Sequence, residues 1–337
     1  MSFEQLKNNL LAKEPFTDIL GQGSTKKQLI STLLANRHVI VVGPPGIGKT
    51  TLAKNVARLL PDMEALNDGF HSDPKHPLFP DDKSHKTVSV KGEDRFIRIQ
   101  GSPDLTAEDL LGDIDPIKAL KFGPLSLEAF TPGKIFKANN GILFFDELNR
   151  CPERLQNALL QVLEEGKVTL GSYDIDIPVN FVFIATMNPE DSSTEKLSDV
   201  LLDRFDVIYM PYPKTLALER EIVEKSGKKQ DVEFPGSLLD LALTIVRNLR
   251  ESDKVEKKPS VRASLGLYER AQANAVIAER KKVVMKDVED ATVSVLSHRI
   301  RLKPSVKYLK EPSTFVREEF QKTAESLEDA TDEGGDP

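Results

Sequence analysis

Short apolar runs recur along the first two thirds of the chain, and amphipathic stretches separate them. The apolar runs are HVIVV at 38–42, GILFF at 141–145, FVFIAT at 181–186 and VIYM at 207–210. Continuous apolar runs of this length are typical of strands buried on both faces of a parallel sheet. Their alternation with helical patterns predicts an α/β fold.

The pattern changes after Pro213. The residues 215–303 show helical periodicity only, and the predicted helices are 215–226, 237–251, 260–280 and 285–299. We therefore expect an α/β core at 1–210 and an all-helical domain at 211–303. The first 37 residues predict helix, turn and helix, with Ser24 as a candidate cap of the second helix.

Four segments interrupt this regular pattern. The residues 61–95 are polar and rich in Pro, Asp and His, which indicates an insertion rather than a core element. An irregular insert with three prolines is expected at 113–133, and alternation around Gly171-Ser172 predicts a hairpin within 167–180. The residues 304–337 carry four Lys/Arg and nine Asp/Glu, so we expect an acidic tail that is partly disordered.

Composition and charge exclude several classes of protein. The net charge of the 337 residues is −7, of which −5 lies in the acidic tail. The rest of the chain therefore carries −7 − (−5) = −2, and such a nearly neutral body lacks the excess of positive charge that is typical of nucleic-acid-binding proteins. No apolar run approaches the roughly 20 residues of a membrane span. Because the first residues lack a signal pattern, we expect a cytoplasmic protein. The single cysteine, Cys151, excludes an intrachain disulfide and is expected to serve packing.

A glycine-rich loop follows the first apolar run and precedes a helical pattern at 51–60. Its residues match G-x-x-x-x-G-K-[ST] and are Gly43, Pro44, Pro45, Gly46, Ile47, Gly48, Lys49 and Thr50. Such a loop turns backbone N–H groups towards phosphates at the positive end of a helix. We expect Lys49 to reach the β- and γ-phosphates, Thr50 to bind Mg²⁺, and Thr51 to lie beside the nucleotide. A glycine turn that binds nothing is the alternative.

Two carboxylates end the second apolar run. Asp146 and Glu147 follow GILFF, at the carboxyl end of a predicted strand, where α/β sheets bind ligands. Asp146 is suited to hold Mg²⁺ through water, and Glu147 is suited to act as general base on the attacking water. The alternative is a pair of surface carboxylates without a role.

Two further residues are candidates for the same chemistry. Asn188 follows FVFIAT and would lie beside Glu147 if the two strands are neighbours; it would then orient the attacking water or contact the γ-phosphate. A turn residue before Pro189 is the alternative for Asn188. Arg204 precedes a strand and would stabilise charge on a neighbouring subunit's γ-phosphate. An Arg–Asp ion pair within the chain is the alternative for Arg204.

These motifs, in this order, resemble the AAA+ ATPases over roughly residues 15–303, and more closely the MoxR type and the magnesium-chelatase ATPase subunit. The stretches that carry the resemblance are RIQGSPDLTAEDLLGDIDP (98–116), FTPGKIFKANNGILFFDELNR (130–150), LQNALLQVLEEGKVTLG (155–171), ATMNPED (185–191) and LLDRFD (201–206). The resemblance implies a P-loop NTPase sheet with a helical lid, and ATP and Mg²⁺ as cofactors.

The resemblance also implies roles for single residues. Lys49 and Thr50 match Walker A, Asp146 and Glu147 match Walker B, Asn188 matches sensor 1, and Arg204 is a candidate arginine finger, with Arg150 as its rival. Arg262, in PSVRA at 259–263, resembles the sensor 2 arginine that reaches the nucleotide from the lid. The segments 113–133 and 167–180 match the helix-2 insert and the pre-sensor-1 hairpin.

The resemblance implies a homo-oligomeric ring, with a hexamer as the expected size, and a separate protein partner. A metal-binding von Willebrand-type domain protein is one candidate partner. The expected function is ATP-driven remodelling or maturation of that partner, and the rivals are the motor subunit of a magnesium chelatase, a DNA-translocating motor and a scaffold that does not hydrolyse ATP.

The insertion departs from typical MoxR proteins. Its possible metal ligands fit no standard zinc pattern, so a polar loop is expected; they are His71, Asp73, His76, Asp81, Asp82 and His85.

Overall fold

The structure, a computed structural model, describes residues 3–12, 14–79, 86–123, 126–170, 175–189 and 197–332. The chain divides into two compact units. The first comprises the chain up to Gly43 together with Gly48–Met210, and the second comprises Pro44–Ile47 and the chain from Pro211 onwards. A parallel sheet lies in the first unit and a helical region in the second, which confirms the predicted fold class.

The first unit contains eleven strands and eight helices among the described residues. The strands are β1 His38–Val42, β2 Met63–Leu66, β3 Thr87–Val90, β4 Phe96–Gln100, β5 Gly112–Ile114, β6 Phe130–Pro132, β7 Gly141–Asp146, β8 Lys167–Leu170, β9 Ile175–Pro178, β10 Phe181–Met187 and β11 Phe205–Tyr209. The helices are α1 Phe3–Leu10, α2 Gly23–Leu34, α3 Lys49–Leu59, α4 Ala107–Leu111, α5 Pro116–Phe122, α6 Lys134–Lys137, α7 Glu153–Glu165 and α8 Asp199–Leu202.

Five of these strands form the central parallel sheet, in the order β11-β1-β10-β7-β4. The pairing sets Ala185 opposite Phe145 and Gln100 opposite Asp146. Phe145 and Phe183 are fully buried, with ring centroids 6.1 Å apart. The apolar runs of the sequence thus become sheet strands because both faces of the sheet are covered.

The predicted hairpin forms, whereas the predicted helix cap does not. β8 pairs antiparallel with β9, with Val168 opposite Ile177, and the expected Gly171-Ser172 turn lies outside the described residues. Ser24 does not cap α2, because the helix already begins at Gly23. Gln22 precedes it in the left-handed region with φ 57° and makes no side-chain cap bond.

The insert at 113–133 is more regular than its three prolines suggested. β5 pairs antiparallel with β6, and α5 lies between them in the sequence. The Asp115 side chain accepts hydrogen bonds from the N–H groups of Ile117 and Lys118, and Pro116 occupies the first turn, where its missing N–H costs nothing. The expectation of an irregular insert was therefore wrong for these residues, while Pro124 lies outside the described part of the chain.

The segment 61–95 contributes to the core, contrary to expectation. β2 and β3 form an antiparallel pair, and Arg95 is fully buried. Its guanidinium donates to the carbonyl oxygens of Pro61 and Asn140, and its Nε lies 3.4 Å from the carbonyl oxygen of Lys91. Burial lowers the pKa of Arg95 from its ordinary value. These carbonyl oxygens replace the water that the buried guanidinium has lost. The bond to Asn140, the residue before β7, also connects the insertion to that strand.

The second unit is mainly helical. Its elements are α9 Leu216–Ser226, α10 Gly236–Glu251, β12 Val255–Lys257, α11 Val261–Ile277, α12 Met285–Leu296, β13 Arg301–Leu302, α13 Pro304–Lys307 and α14 Pro312–Asp332. A buried ion pair joins α9 to α10, with Glu219 and Arg250 bonded at 2.7 and 2.8 Å. Ser264 of α11 donates to the same carboxylate at 2.5 Å. Three helices therefore share one satisfied polar network.

The acidic tail expected at 304–337 is largely a helix of this second unit. Phe315, Val316 and Phe320 of α14 are buried among α10, α11 and α12. The high proportion of acidic residues hid this apolar stripe, because average composition does not show which positions of a helix share one side. The expected tail was wrong for this helix, and the last five residues lie outside the described part of the chain. Among the described helices, none combines the length and the apolar character needed to cross a membrane.

Candidate active site

The candidate residues after β7 and β10 come together, as expected. β7 and β10 are direct neighbours, so Asp146 and Glu147 leave the sheet beside Met187 and Asn188. The carboxyl ends of parallel strands form the usual ligand-binding edge of an α/β sheet. β1 lies on the other side of β10 and continues into the glycine-rich loop at the same edge.

The glycine-rich loop joins β1 to α3, which begins at Lys49. Gly46 and Gly48 have φ of 73° and 103°, which L side chains rarely adopt, so both positions require glycine. A Cβ on Gly43 would overlap with the carbonyl oxygen of Met210. The Lys49 ammonium donates to the carbonyl oxygen of Gly43 at 2.5 Å. The remaining residues of the loop are partly buried; they are Pro44, Pro45, Ile47 and Thr50. Thr51 is exposed on the first turn of α3.

The Asp146 carboxylate has partners from both neighbouring strands. Arg98 Nη2 of β4 lies 2.5 Å from Asp146 Oδ2. The Thr186 hydroxyl of β10 donates to Asp146 Oδ1 at 2.7 Å. The two carboxylate oxygens therefore differ in their surroundings. Oδ1 is bonded to a buried hydroxyl, and Oδ2 is paired with an arginine whose side chain is half exposed.

Glu147 adopts an unusual backbone conformation. Its φ of 58° and ψ of 54° lie in the left-handed region, which costs free energy for a side chain of this kind. Gln100 Nε2 donates to Glu147 Oε2 at 3.0 Å, and Arg150 Nε lies 3.3 Å from the same oxygen. A Cβ on Gly101 would overlap with the Glu147 carbonyl oxygen, so this glycine permits the close approach of β4.

The turn after Glu147 is tied to the end of β10. The Asn149 side chain, almost fully buried, donates to the Asn188 carbonyl oxygen at 3.4 Å. Asn188 itself is partly buried directly after the strand. The predicted neighbourhood of Asn188 and Glu147 is thus present, while its contact with water or phosphate stays a prediction.

Arg204 forms an ion pair and a hydrogen bond within its own chain. Its Nη2 lies 2.6 Å from Glu164 Oε2, and its Nη1 donates to the Val200 carbonyl oxygen at 2.7 Å. The expected alternative, an ion pair within the chain, therefore occurs, with a glutamate rather than an aspartate. A role for Arg204 towards a neighbouring subunit stays a prediction.

Arg262 is exposed on the first turn of α11. It belongs to the same unit as loop residues Pro44–Ile47, and a Cβ on Gly46 would lie 2.6 Å from Arg262 Cγ. The Arg262 side chain therefore lies against Gly46. Its contact with a bound nucleotide stays a prediction.

Sequence reasoning missed four residues of this site: Arg98, Gln100, Thr186 and Asn149. Arg98 and Gln100 lie on β4, whose place beside β7 cannot be deduced from a single strand. Thr186 carried a signal, since it is the one hydroxyl in the otherwise apolar run FVFIAT, immediately before the carboxyl end. The signal for Asn149 was its position, two residues after Glu147.

The donor chemistry of the site fits Mg²⁺ with a nucleotide. Thr50 supplies a hydroxyl and Asp146 a carboxylate, and Mg²⁺ prefers such hard oxygen ligands. The positive φ of Gly46 and Gly48 lets the loop approach phosphates without a Cβ in the way. These residues would hold the ion and the phosphates, and the ion would offset charge on the phosphate oxygens.

The histidines of the insertion do not form a metal site among the described residues, where no group of three metal-ligating side chains converges. His71 is partly buried, and burial, followed by the nearby Arg95 charge, lowers its pKa. Asp73 and His76 pair as an isolated β-bridge. Asp81, Asp82 and His85 lie outside the described residues.

Comparisons with known families cover most of the chain. The model described as the ATPase family associated with various cellular activities (AAA) matches residues 78–207. The model for the AAA lid domain matches residues 247–319, and that for magnesium chelatase subunit ChlI matches residues 15–70.

Individual relatives span nearly the full length. The magnesium-chelatase subunit ChlI of Mesostigma viride is 30% identical over 342 residues, which cover 90% of this chain and 93% of the relative. The uncharacterized protein YeaC of Bacillus subtilis (strain 168) is 28% identical over 303 residues, 83% of this chain and 82% of that protein. A chain from the complex of magnesium-chelatase subunits BchI and BchD, derived from cryo-EM, shares the fold with a TM-score of 0.52 at 23% identity, over 87% of this chain and 98% of that chain. The chain therefore belongs to the AAA+ ATPases of the MoxR and magnesium-chelatase type, and it is an ATP-hydrolysing enzyme.

Proposed function

We propose that this chain is a MoxR-type motor that uses ATP hydrolysis to remodel or mature a separate protein. The observation that carries the proposal is an exposed apolar face on α5. Ile117 and Leu120 are 80% and 91% exposed, and Phe122 is 44% exposed. Exposed apolar side chains that cluster on one element are typical of protein-binding surfaces. Ile117 and Leu120 are three positions apart in the helix and therefore neighbours on its surface, and we call these two residues the α5 face.

The proposed chemistry is the attack of water on the γ-phosphate of ATP, which gives ADP and phosphate. Glu147 accepts the proton of the attacking water, and Asn188 orients that water. Lys49 binds the phosphates, while Thr50 and Asp146 hold Mg²⁺ at the same edge of the sheet.

Two arginines complete the proposed site. Arg204 of one subunit stabilises the charge of the transition state at the next subunit's nucleotide, and Arg262 contacts the nucleotide from the lid. Arg150 remains the rival for the first role, but its guanidinium lies 3.3 Å from Glu147 of its own chain. Arg204 is likewise paired within its own chain, 2.6 Å from Glu164, so the mixing of variant subunits decides between the two arginines.

A nucleotide shared between two subunits favours assembly, because it stabilises the state that binds it best. We therefore propose a ring, with six subunits as the expected number. The BchI–BchD complex of magnesium chelatase supports a separate partner, because there a relative of this fold assembles with a second subunit. A metal-binding von Willebrand-type domain protein is the proposed kind of partner, and the cytoplasm is the proposed location.

The test is affinity capture with Glu147→Gln, which is expected to hold ATP and its partner without turnover. The double serine variant Ile117→Ser/Leu120→Ser should lose the captured protein and keep basal ATP hydrolysis. Ile277→Ser is the matched control, since Ile277 is 81% exposed on α11, away from the α5 face in sequence. ATP should change the protease sensitivity of the purified partner in the presence of the wild-type protein or of Ile277→Ser, and not in the presence of the α5 double variant.

Two results would contradict this proposal. Equal capture by the α5 double variant and by Ile277→Ser would remove the α5 face from partner binding. Strong DNA binding that falls steeply with salt, together with no captured protein, would favour the DNA-translocating motor instead.

A magnesium-chelatase motor subunit is the second candidate, and the 30% identity to the ChlI subunit of Mesostigma viride favours it. That function requires two further subunits, one of which binds the tetrapyrrole. Genes for such subunits beside this one would support it. The direct test is ATP-dependent insertion of Mg²⁺ into a tetrapyrrole by the three proteins together, measured as a change in the absorption of the tetrapyrrole.

A further inference from the structure

One buried hydroxyl joins the two carboxylate residues of the candidate site. Thr186 Oγ1 lies 2.7 Å from Asp146 Oδ1 and 2.9 Å from the backbone nitrogen of Glu147. The direction of each bond follows from the chemistry, because a backbone N–H can only donate and a carboxylate can only accept. The Thr186 hydroxyl therefore donates its proton to Asp146 and accepts the N–H of Glu147.

The hydroxyl that makes both bonds is shielded from solvent, while its partners Asp146 and Glu147 are partly buried. Thr186 is 0% exposed, near the end of β10. Water therefore does not replace the hydroxyl when the side chain is changed, and a buried amide or carboxylate oxygen without a partner is costly. The two bonds are thus strong determinants of local geometry.

Each bond fixes a different part of the site. The bond to Asp146 Oδ1 orients that carboxylate, so that Oδ2 is the oxygen turned towards Arg98. The bond from the Glu147 N–H holds a backbone in the left-handed region, with φ 58° and ψ 54°. Such a conformation persists only where surrounding bonds determine it. This backbone conformation in turn sets the direction in which the Glu147 side chain leaves the main chain.

We infer that Thr186 is a positioning residue for ATP hydrolysis, which sets the Mg²⁺-binding oxygen of Asp146 and the direction of the Glu147 base with a single hydroxyl. The inference rests on the proposed roles of Asp146 and Glu147. It assigns no contact between Thr186 and the nucleotide. Loss of the hydroxyl should therefore lower kcat and raise the Mg²⁺ requirement, with little effect on the KM for ATP.

The test compares Thr186→Val, which keeps the shape and removes the hydroxyl, with Thr186→Ser, which keeps the hydroxyl. Thr292→Val is the matched control, since Thr292 is also 0% exposed and its hydroxyl donates to the Val288 carbonyl oxygen at 2.7 Å in α12. For Thr186→Val, kcat should fall roughly 10- to 100-fold, as expected when a catalytic group is misplaced. Thr186→Ser should recover most of that loss, and Thr292→Val should keep the wild-type kcat.

A second measurement does not depend on activity. Hydrogen–deuterium exchange of the nucleotide-free protein reports the Glu147 amide directly. In the wild type and in Thr186→Ser this amide should be protected, and in Thr186→Val it should exchange faster, while Thr292→Val should not change it. If the wild-type Glu147 amide already exchanges as fast as an exposed amide, the inference is wrong, whether or not Thr186→Val folds.

The outcomes separate this inference from the proposed roles on which it rests. If Glu147→Gln abolishes turnover and Thr186→Val keeps the wild-type kcat, only the role of Thr186 fails. If Glu147→Gln itself keeps turnover, the assignment of the base fails first. Equal losses of kcat in Thr186→Val and Thr186→Ser would show that the shape of the side chain, and not its hydroxyl, matters.

Discussion

Arg204 Nη2 lies 2.6 Å from Glu164 Oε2, so the proposed trans-acting arginine is held by a glutamate of its own chain. Glu164 is 61% exposed, and an ion pair of this kind contributes little free energy. Loss of this ion pair therefore adds little to the cost of turning the guanidinium towards a more strongly charged partner, such as the γ-phosphate of a neighbouring subunit; the bond to the Val200 carbonyl oxygen would break as well.

This relationship leads to a test by mixed subunits. Arg204→Ala alone should lower turnover by roughly 10³- to 10⁵-fold if it acts as an arginine finger. A mixture of inactive Arg204→Ala and inactive Glu147→Gln subunits should regain part of the activity, because some interfaces join an intact Glu147 to an intact Arg204. Arg37→Ala, which removes a comparable ion pair with Asp206, should leave turnover near wild type. A mixture that stays inactive would move the finger to Arg150 or to another arginine.

The positive charge of Arg98 in the wild-type protein should reduce the affinity of the candidate site for Mg²⁺. Its guanidinium lies 2.5 Å from Asp146 Oδ2, and a positive charge there opposes a second cation. Arg98→Ala should lower the Mg²⁺ concentration at half-maximal turnover by about two- to fivefold, the effect of a partly exposed charge. Arg58→Ala is the control, because Arg58 has the same 52% side-chain exposure and pairs with Asp18 instead. An unchanged or higher Mg²⁺ requirement in Arg98→Ala would contradict the role of Asp146.

His38 should make the protein less stable in mild acid. Its imidazole lies among Phe181, Phe183 and Phe205, and burial lowers its pKa from 6.5 to about 4. Between these two pH values the imidazole of His38 binds a proton in the unfolded chain and not in the folded chain. The contribution of His38 to the free energy of unfolding therefore falls as the pH falls from 6.5 to 4, and this contribution levels off below pH 4. The full loss is about 3 kcal/mol.

The measurement is urea unfolding of the wild type and of His38→Asn across this pH range. The difference in the free energy of unfolding between the two proteins should shrink towards acid pH, because only the wild type loses this contribution. Some slope should remain in the variant, since burial also lowers the pKa of His71. Parallel curves for the two proteins would show that His38 is not responsible.

Arg95 should be important for stability and not for chemistry. Arg95→Ala would leave the carbonyl oxygens of Pro61 and Asn140 without their donor and open a cavity, at a cost of about 3 kcal/mol or more. Arg98→Ala, three residues further along the same segment, should change the free energy of unfolding by less than about 0.5 kcal/mol, because Arg98 is half exposed. Similar losses for both variants in thermal or urea unfolding would contradict the buried position of Arg95.

The parts that could be predicted from the sequence share a local cause. The strands GILFF and FVFIAT are continuous apolar runs, and the loop around Lys49 has a fixed spacing, so each could be recognised from a few consecutive residues. The contacts of Arg98, Gln100 and Thr186 depend on which strands pair, and that is decided by packing between distant parts of the chain.

Two errors have a different origin. The polar composition of residues 61–95 predicts an insertion outside the core, although Arg95 is fully buried and donates to the Asn140 carbonyl oxygen. The acidic residues of α14 likewise obscured Phe315, Val316 and Phe320, which pack into the core of the second unit. In both cases average polarity was a poor guide, because single positions decide which face of an element is buried.

ATP binding and ATP turnover, measured separately in Lys49→Ala and Glu147→Gln, test the central claim most directly. Lys49→Ala should lose nucleotide binding, because it removes the main side-chain charge that meets the phosphates. Glu147→Gln should bind ATP with near wild-type affinity and lose turnover, because it removes the base and leaves the loop intact. Hydrolysis by Glu147→Gln at near the wild-type rate would contradict the assignment of Glu147 as the base and, with it, the proposed mechanism of this site.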